Sequence, residues 1–156
     1  MSTLTLQKTY PQSQVTGVDL SPYYLAVAQH RSQNHQKNVN WVHSTAESTG
    51  LDAGSYDLVS ACLMFHEIPQ QATQEIFTEV HRLLRPGGYL ALMDMNPGSE
   101  IIAKMPPYVL TLLKSTEPYL DDYFSLDIEK TLLEIGFKSP TIIPNSPRHR
   151  TIIAHV

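Results

Sequence analysis

Disulfides are excluded at once, because Cys62 is the only cysteine in the 156 residues. Stability therefore has to come from burial, and the place of Cys62 in an apolar run marks it as a core thiol. Long hydrophobic runs are missing as well. The longest apolar stretches, Leu58 to Phe65 and Val109 to Leu113, fall far short of the roughly 20 residues a membrane-spanning helix needs. The N-terminus has no basic segment leading into an apolar one, so a cytoplasmic location is expected. Surplus positive charge is lacking too: a net charge of -4 and a pI near 5.9 offer no general attraction to nucleic acid or to an anionic membrane. The basic cluster Arg148-His149-Arg150 opens a terminal strand and is read as a solvated end. What is present suffices for one core, since 42% of the residues are hydrophobic and 17% charged. A single domain is expected.

Apolar runs of strand length alternate with helical patterns, which predicts an α/β fold with a mostly parallel sheet. Strands are expected over 14–19, 39–43, 56–63 and 88–95, with helices over 22–34 and 70–85 between them. In the second helix Ile76, Val80, Leu83 and Leu84 share one face. Arg82 and Arg85 complement the negative end of its dipole, and Pro86-Gly87-Gly88 stops it. After residue 96 the pattern changes to an interrupted apolar segment and a helix over 126–135 closed by Gly136. Phe137 to Ile143 and Arg150 to Val156, joined through Pro144-Asn145-Ser146-Pro147, are expected to pair as an antiparallel hairpin.

The sharpest local signal is Val15-Thr16-Gly17-Val18-Asp19-Leu20-Ser21-Pro22. A short β-type run ends on a carboxylate, and Ser21 as N-cap with Pro22 in the first helical position turns the chain back. A carboxylate at the end of a parallel strand is placed to accept hydrogen bonds from both hydroxyls of a ribose. Strands also end in Asp for turn chemistry alone.

These residues form part of an ordered series. After Val18-Asp19-Leu20-Ser21-Pro22 come Thr45-Ala46-Glu47, Tyr56-Asp57-Leu58-Val59, Phe65-His66-Glu67-Ile68-Pro69 and Leu83-Leu84-Arg85-Pro86-Gly87-Gly88. The series resembles the class I S-adenosylmethionine-dependent methyltransferases, in particular their small-molecule branch. The resemblance implies a Rossmann-like, doubly wound sheet closed by an antiparallel strand. It divides the chain into a cofactor-binding part (1–96), an acceptor-side cap (97–125) and a closing helix and hairpin (126–156). It further implies that Asp19 holds the ribose, that Leu20 covers one face of the adenine, and that Thr45 and Ala46 meet the adenine edge. Glu47 is the nearest carboxylate there, and a loop Glu is as readily solvated. Ala61, Cys62 and Leu63 fall where the family passes the sulfonium end of S-adenosylmethionine.

The family's first strand and glycine-rich loop have no counterpart before residue 15. The resemblance makes residues 1–10 the helix that follows that loop, although the alternation Thr3-Leu4-Thr5-Leu6 also permits a strand. Without the first strand, those at 14–19 and 56–63 are expected to expose edges. Either they pair directly, or the N-terminal segment intrudes, or a second copy of the chain covers them.

His66 is the candidate catalytic residue, an imidazole able to take a proton from a hydroxyl or a carbon acid, although a histidine at a strand–loop junction can equally serve only to hydrogen-bond the backbone. A metalloprotease-type metal site is not expected, because Gln70 stands where a second histidine is needed and Pro69 interrupts the helix. Met105-Pro106-Pro107-Tyr108 differs from the Pro-Pro-aromatic motif of base methylation in its first residue and in following the fifth strand. Tyr108, Tyr119, Tyr123 and Phe124 are candidates to line an acceptor pocket, or are core. Two rival readings of the same residues are a non-catalytic module of this fold and an NAD(P)-dependent oxidoreductase.

Overall fold

A computed structural model of the chain describes residues 2–35 and 38–156, which divide into two compact units, one ending at Leu51 and the other Asp52–Val156. Met1 of the expected N-terminal helix lies outside the described residues. The elements are α1 (Ser2–Thr9), β1 (Val15–Asp19), α2 (Pro22–Asn34) and β2 (Val39–His43) in the first unit. The second holds β3 (Tyr56–Cys62), one 3-10 turn (Phe65–Glu67), α3 (Gln70–Leu83), β4 (Leu84–Met95) and α4 (Glu100–Ala103). It continues with α5 (Pro107–Thr116), α6 (Leu120–Ser125), α7 (Ile128–Ile135), β5 (Thr141–Pro144) and β6 (His149–His155). Among the described residues no helix is long and apolar enough to cross a membrane.

In the first unit α2 carries the chain from β1 to β2, which pair in parallel from Val15 opposite Val39 to Asp19 opposite His43. The helix starts as its sequence requires. Ser21 Oγ accepts from Tyr24 N at 3.3 Å, and Pro22 occupies the first turn, where its missing N–H costs nothing. Gly17 is demanded by packing: the Trp41 ring occupies the space into which a β-carbon would project. Trp41 is held in turn by Nε1 donating to Oγ of the buried Ser32 at 3.2 Å.

The second unit has the sheet order β3-β4-β6-β5, with β3 and β4 parallel and β6 antiparallel to both of its neighbours. Ile76, Val80 and Leu83 of α3 are buried as their spacing predicts, together with Phe77. Leu90 and Leu92 of β4, Ile152 and Ala154 of β6 and Leu132 of α7 complete this core.

Boundaries differ from expectation where turn chemistry intervenes. The helix stops at Leu83, because Leu84 already pairs with Tyr56; Arg85–Gly88 then bulge before pairing resumes at Leu58 opposite Tyr89. Arg85 consequently forms an ion pair with Asp57 of the neighbouring strand instead of capping the helix, while Arg82 pairs with Glu79 at 2.7 Å. Gly87 takes φ +80°, and Gly88 lies so close to the Arg85 carbonyl that a β-carbon would collide with it.

The hairpin is shorter than its apolar run. Gly136, at φ +116°, ends α7 in the left-handed conformation, and Phe137 N donates back to Leu132 O at 3.0 Å. The Phe137 ring is buried edge-on against His81, with centroids 5.2 Å apart, so β5 begins only at Thr141.

The N-terminal segment is helical rather than an intruding strand. β1 pairs with β2 alone among the described residues, and β3 pairs with β4 alone, so each has one edge outside its own ladder.

Gly17→Ala should destabilise the first unit by about 1–3 kcal/mol, the usual cost of forcing an extra carbon into a packed site. Trp41 is the sole tryptophan. Urea unfolding followed by its fluorescence therefore reads the change directly, and an unaltered midpoint would refute the packing account.

Candidate functional site

Strand β4 alternates strictly, burying Leu90, Leu92 and Asp94 on one face. A carboxylate is thus delivered into the core at 0% exposure, a position that is costly unless every lone pair finds a donor. Four donors converge on it. Asp94 Oδ2 accepts from Met64 N at 3.1 Å and Phe65 N at 2.8 Å; Oδ1 accepts from Met95 N at 2.7 Å and from His66 Nδ1 at 2.6 Å. The carboxylate therefore organises the turn that follows β3 and also orients the imidazole on that turn.

Because an ionised carboxylate can only accept, the proton between the two side chains sits on His66 Nδ1, leaving the Nε2 lone pair of the neutral ring free. The Asp94 hydrogen bond raises the His66 pKa above 6.5 against the opposing effect of burial, helped by the negative charges of Asp94, Glu117 and Glu67. Burial by itself would raise Asp94. The hydrogen bond from His66, that from Met95 N, the imidazole charge and the Phe65 amide together hold it below the usual carboxylate value of 3.8.

Tyr123 walls this site. Its ring meets His66 edge-on with centroids 6.5 Å apart, its hydroxyl donates to Met95 O at 3.0 Å, and the Arg150 guanidinium lies over the ring, 5.8 Å from its centre. Burial first, then the Asp94 charge, push the Tyr123 pKa up to about 12 against the opposing influence of Arg150. At neutral pH it is a packed wall and a hydrogen-bond donor. Of the other aromatic candidates, Phe124 packs on Tyr123, whereas Tyr108 and Tyr119 are exposed. Gln70 Nε2 ties α6 to the start of α3 by donating to Asp122 O at 2.7 Å and Ser125 Oγ at 3.0 Å.

The end of β3 carries Ala61, Cys62 and Leu63. Ala61 is half-buried, but Cys62 and Leu63 are exposed, which corrects the expectation of a core thiol: Cys62 falls on the outward phase of an edge strand, in step with Ser60. Leu63 adopts φ +52° while donating its N–H to Met93 O at 2.8 Å. A branched L-residue in this region is rare and costs about 1–2 kcal/mol.

In the first unit the ends of β1 and β2 are joined. Ser44 N donates to Asp19 O at 3.3 Å, and His43 Nε2 bonds Leu20 O at 2.9 Å. Asp19 Oδ1 accepts from Ser21 N at 2.8 Å, so the turn role weighed for this residue is real. Its other carboxylate oxygen has no hydrogen bond among the described residues. Leu20 is 66% exposed beside it, Thr45 is exposed, and Ala46 and Glu47 are half-buried on the loop after β2. The carboxylate is thus anchored by its turn with one oxygen open to accept further hydrogen bonds, next to an outward-facing leucine.

The chain matches the methyltransferase domain family over residues 1–88, more than half its length. It belongs to that family. An uncharacterised methyltransferase of Synechocystis is 32% identical over 123 residues, which cover 79% of this chain and 56% of that protein. The methyltransferase domain described here therefore spans little more than half of that relative. Among solved structures, Haemonchus contortus phosphoethanolamine N-methyltransferase 2, determined with S-adenosylmethionine, aligns with a TM-score of 0.73 at 18% identity over 91% of this chain and 43% of its own. An S-adenosylmethionine-dependent methyltransferase from Aquifex aeolicus aligns with a TM-score of 0.67 at 17% identity, over 90% and 68%. At such identities the likeness establishes the fold, a Rossmann-like α/β sheet with its antiparallel closing strand.

Sequence reasoning singled out His66 but missed its partner. The signal was available, since Asp94 occupies the same alternating phase as Leu90 and Leu92, where a carboxylate requires a reason. Glu117, on the loop that closes α5, had no comparable signal.

Stability should be greatest between about pH 4 and 6.5. The Asp94 contribution is present above the ordinary carboxylate pKa and is lost as pH falls through its depressed value; the His66 contribution is complete below 6.5 and is lost as pH rises through its raised value. Asp94→Asn should cost about 3–5 kcal/mol in urea unfolding at pH 5.5 and should lower the His66 titration midpoint seen by NMR. An unchanged His66 midpoint would dissolve the pair.

Proposed function

We propose that this domain serves S-adenosylmethionine-dependent methyl transfer to a small-molecule acceptor bearing a hydroxyl or a carbon acid, with His66 as the base. The observation that carries the reading is the His66–Asp94 pair, 2.6 Å apart in a buried setting, because it sets both the ring orientation and the tautomer. S-adenosylmethionine, when bound, supplies a methyl group on a sulfonium, which needs only an aligned nucleophile and a site free of competing water. Asp19 would hold the ribose through its open oxygen and Leu20 would cover the adenine, with Thr45 and Ala46 at the adenine edge. Ala61, Cys62 and Leu63 would border the sulfonium end.

On the acceptor, His66 Nε2 would take the hydroxyl or C–H proton, while the cofactor would supply the methyl and keep the pair of its broken S–C bond as a neutral thioether. The Nδ1 proton stays on the ring and is donated to Asp94, whose charge would stabilise the resulting imidazolium. The raised pKa means that lowering the pH through it protonates Nε2 and removes the base, so the rate should rise with pH across that range. The closing antiparallel hairpin and the family match favour this reading over a nicotinamide-dependent oxidoreductase.

Two measurements test the assignment. Asp19→Asn, which keeps the Ser21 turn but removes the charge, should weaken S-adenosylhomocysteine binding by about 1.5–3 kcal/mol in calorimetry, the worth of a charge-assisted hydrogen bond. Measurable binding that is unchanged in the variant would take Asp19 out of the site. His66→Gln should lower kcat by about 10²–10⁴-fold with cofactor affinity retained. Undiminished turnover in that variant would leave the histidine a purely structural part of a binding module.

A further inference from the structure

The β3–α3 turn and the end of α5 bring Glu67 and Glu117, two side chains that the methyl-transfer reading does not use, to the ring of His66, which it does. His66 Nε2 and one carboxylate oxygen each from Glu67 and Glu117 all lie within 4.8 Å of one another. Nε2 is 3.8 Å from Glu67 Oε1, beyond hydrogen-bond distance, and has no hydrogen bond among the described residues. Glu67 is exposed on the turn, and Glu117 is half-buried where α5 ends.

The proximity of two carboxylates alone would mean little. The deciding observation is the histidine, whose side chain is only 9% exposed and which points its free nitrogen into the pair. Its other nitrogen is already bonded to a fully buried carboxylate, so the ring cannot turn away. A metal-ligating histidine nearly always has this arrangement: the nitrogen away from the ion donates to a carboxylate, which sets the tautomer and strengthens the ligand.

We propose that His66 Nε2, Glu67 and Glu117 form a binding site for one divalent transition cation of the zinc class. Two carboxylates and a neutral imidazole balance a doubly charged ion. The imidazole favours zinc, or a neighbour of similar softness, over magnesium or calcium, which prefer all-oxygen sets. Three protein ligands leave a coordination position for water or for an oxygen of a bound molecule. Zinc bonds of about 2.0–2.2 Å require the three atoms to close in slightly, which the exposed Glu67 side chain can accommodate. Asp94 would act as the outer partner that orients the ligand. Since the ion would take the same lone pair as the proton, occupancy and the base role of His66 exclude one another. The site itself does not rest on the methyl-transfer reading, and its test needs neither cofactor nor acceptor.

Zinc titrated calorimetrically into the full chain at pH 7 should bind at one site per chain, and magnesium should not. His66→Ala would leave Asp94 unpaired and is not a clean probe, so the carboxylates are changed instead. Glu67→Gln and Glu117→Gln should each weaken zinc binding at least tenfold while leaving the metal-free circular dichroism spectrum unchanged. Zinc should raise the melting temperature of the parent and not of the double variant. Absence of zinc binding, equal affinity for magnesium, or undiminished zinc affinity in either single variant would overturn the site; in the last case the ion would be sitting on other histidines.

Discussion

A carboxylate with no exposure to water has to be satisfied by protein, and much of the second unit around the candidate site is arranged to do so. Asp94 collects backbone donors from Met64 and Phe65 on the β3–α3 turn, one from Met95 on its own strand, and the imidazole of His66. Removing the charge would strand these donors in the core, each at a cost of about 1–3 kcal/mol. The same bonds that stabilise the turn hold the ring. Structural support and chemical orientation are here a single interaction, and for that reason a variant's stability and its His66 titration have to be read together.

The nucleoside end of the proposed chemistry rests on a different device. Asp19 spends one oxygen on the turn that launches α2 and keeps the other open, so its orientation is set before any ligand arrives. Close packing of Gly17 against Trp41, and of Trp41 against Ser32, keeps the strand that carries it in register with β2. Neither feature depends on the identity of the methyl acceptor, in keeping with a family whose members share a cofactor fold while differing in what they modify.

Period-two and helical patterning made the element order legible, because Ile76, Val80 and Leu83 or Leu90 and Leu92 have only one way to be buried. Local chemistry limited the boundaries. Leu84 looks like the last turn of a helix until its pairing with Tyr56 is known, and Phe137 looks like a strand residue until Gly136 turns it into the core. Cys62 shows a subtler failure: an apolar run signals burial only when both faces of its strand are covered, and β3 forms a ladder on one side alone. His66 was found through its motif, yet its partner lies 28 positions away, and that juxtaposition depends on the β3–β4 register. Glu117 reaches the same place from a helix end that no short motif marks.

Leu63 carries one last consequence, for the order in which the molecule becomes competent. Its left-handed backbone is unfavourable for the isolated segment, and nothing between Leu63 and Glu67 compensates for it locally. The compensation comes from Met93 and Asp94, which accept its N–H and those of the next two residues only after β4 has docked. A nascent chain that has produced the histidine but not yet β4 has no means of holding that ring in place. Orientation of the His66 ring is thus conditional on long-range sheet assembly, and it reports completion of the unit rather than formation of the turn on which the ring sits.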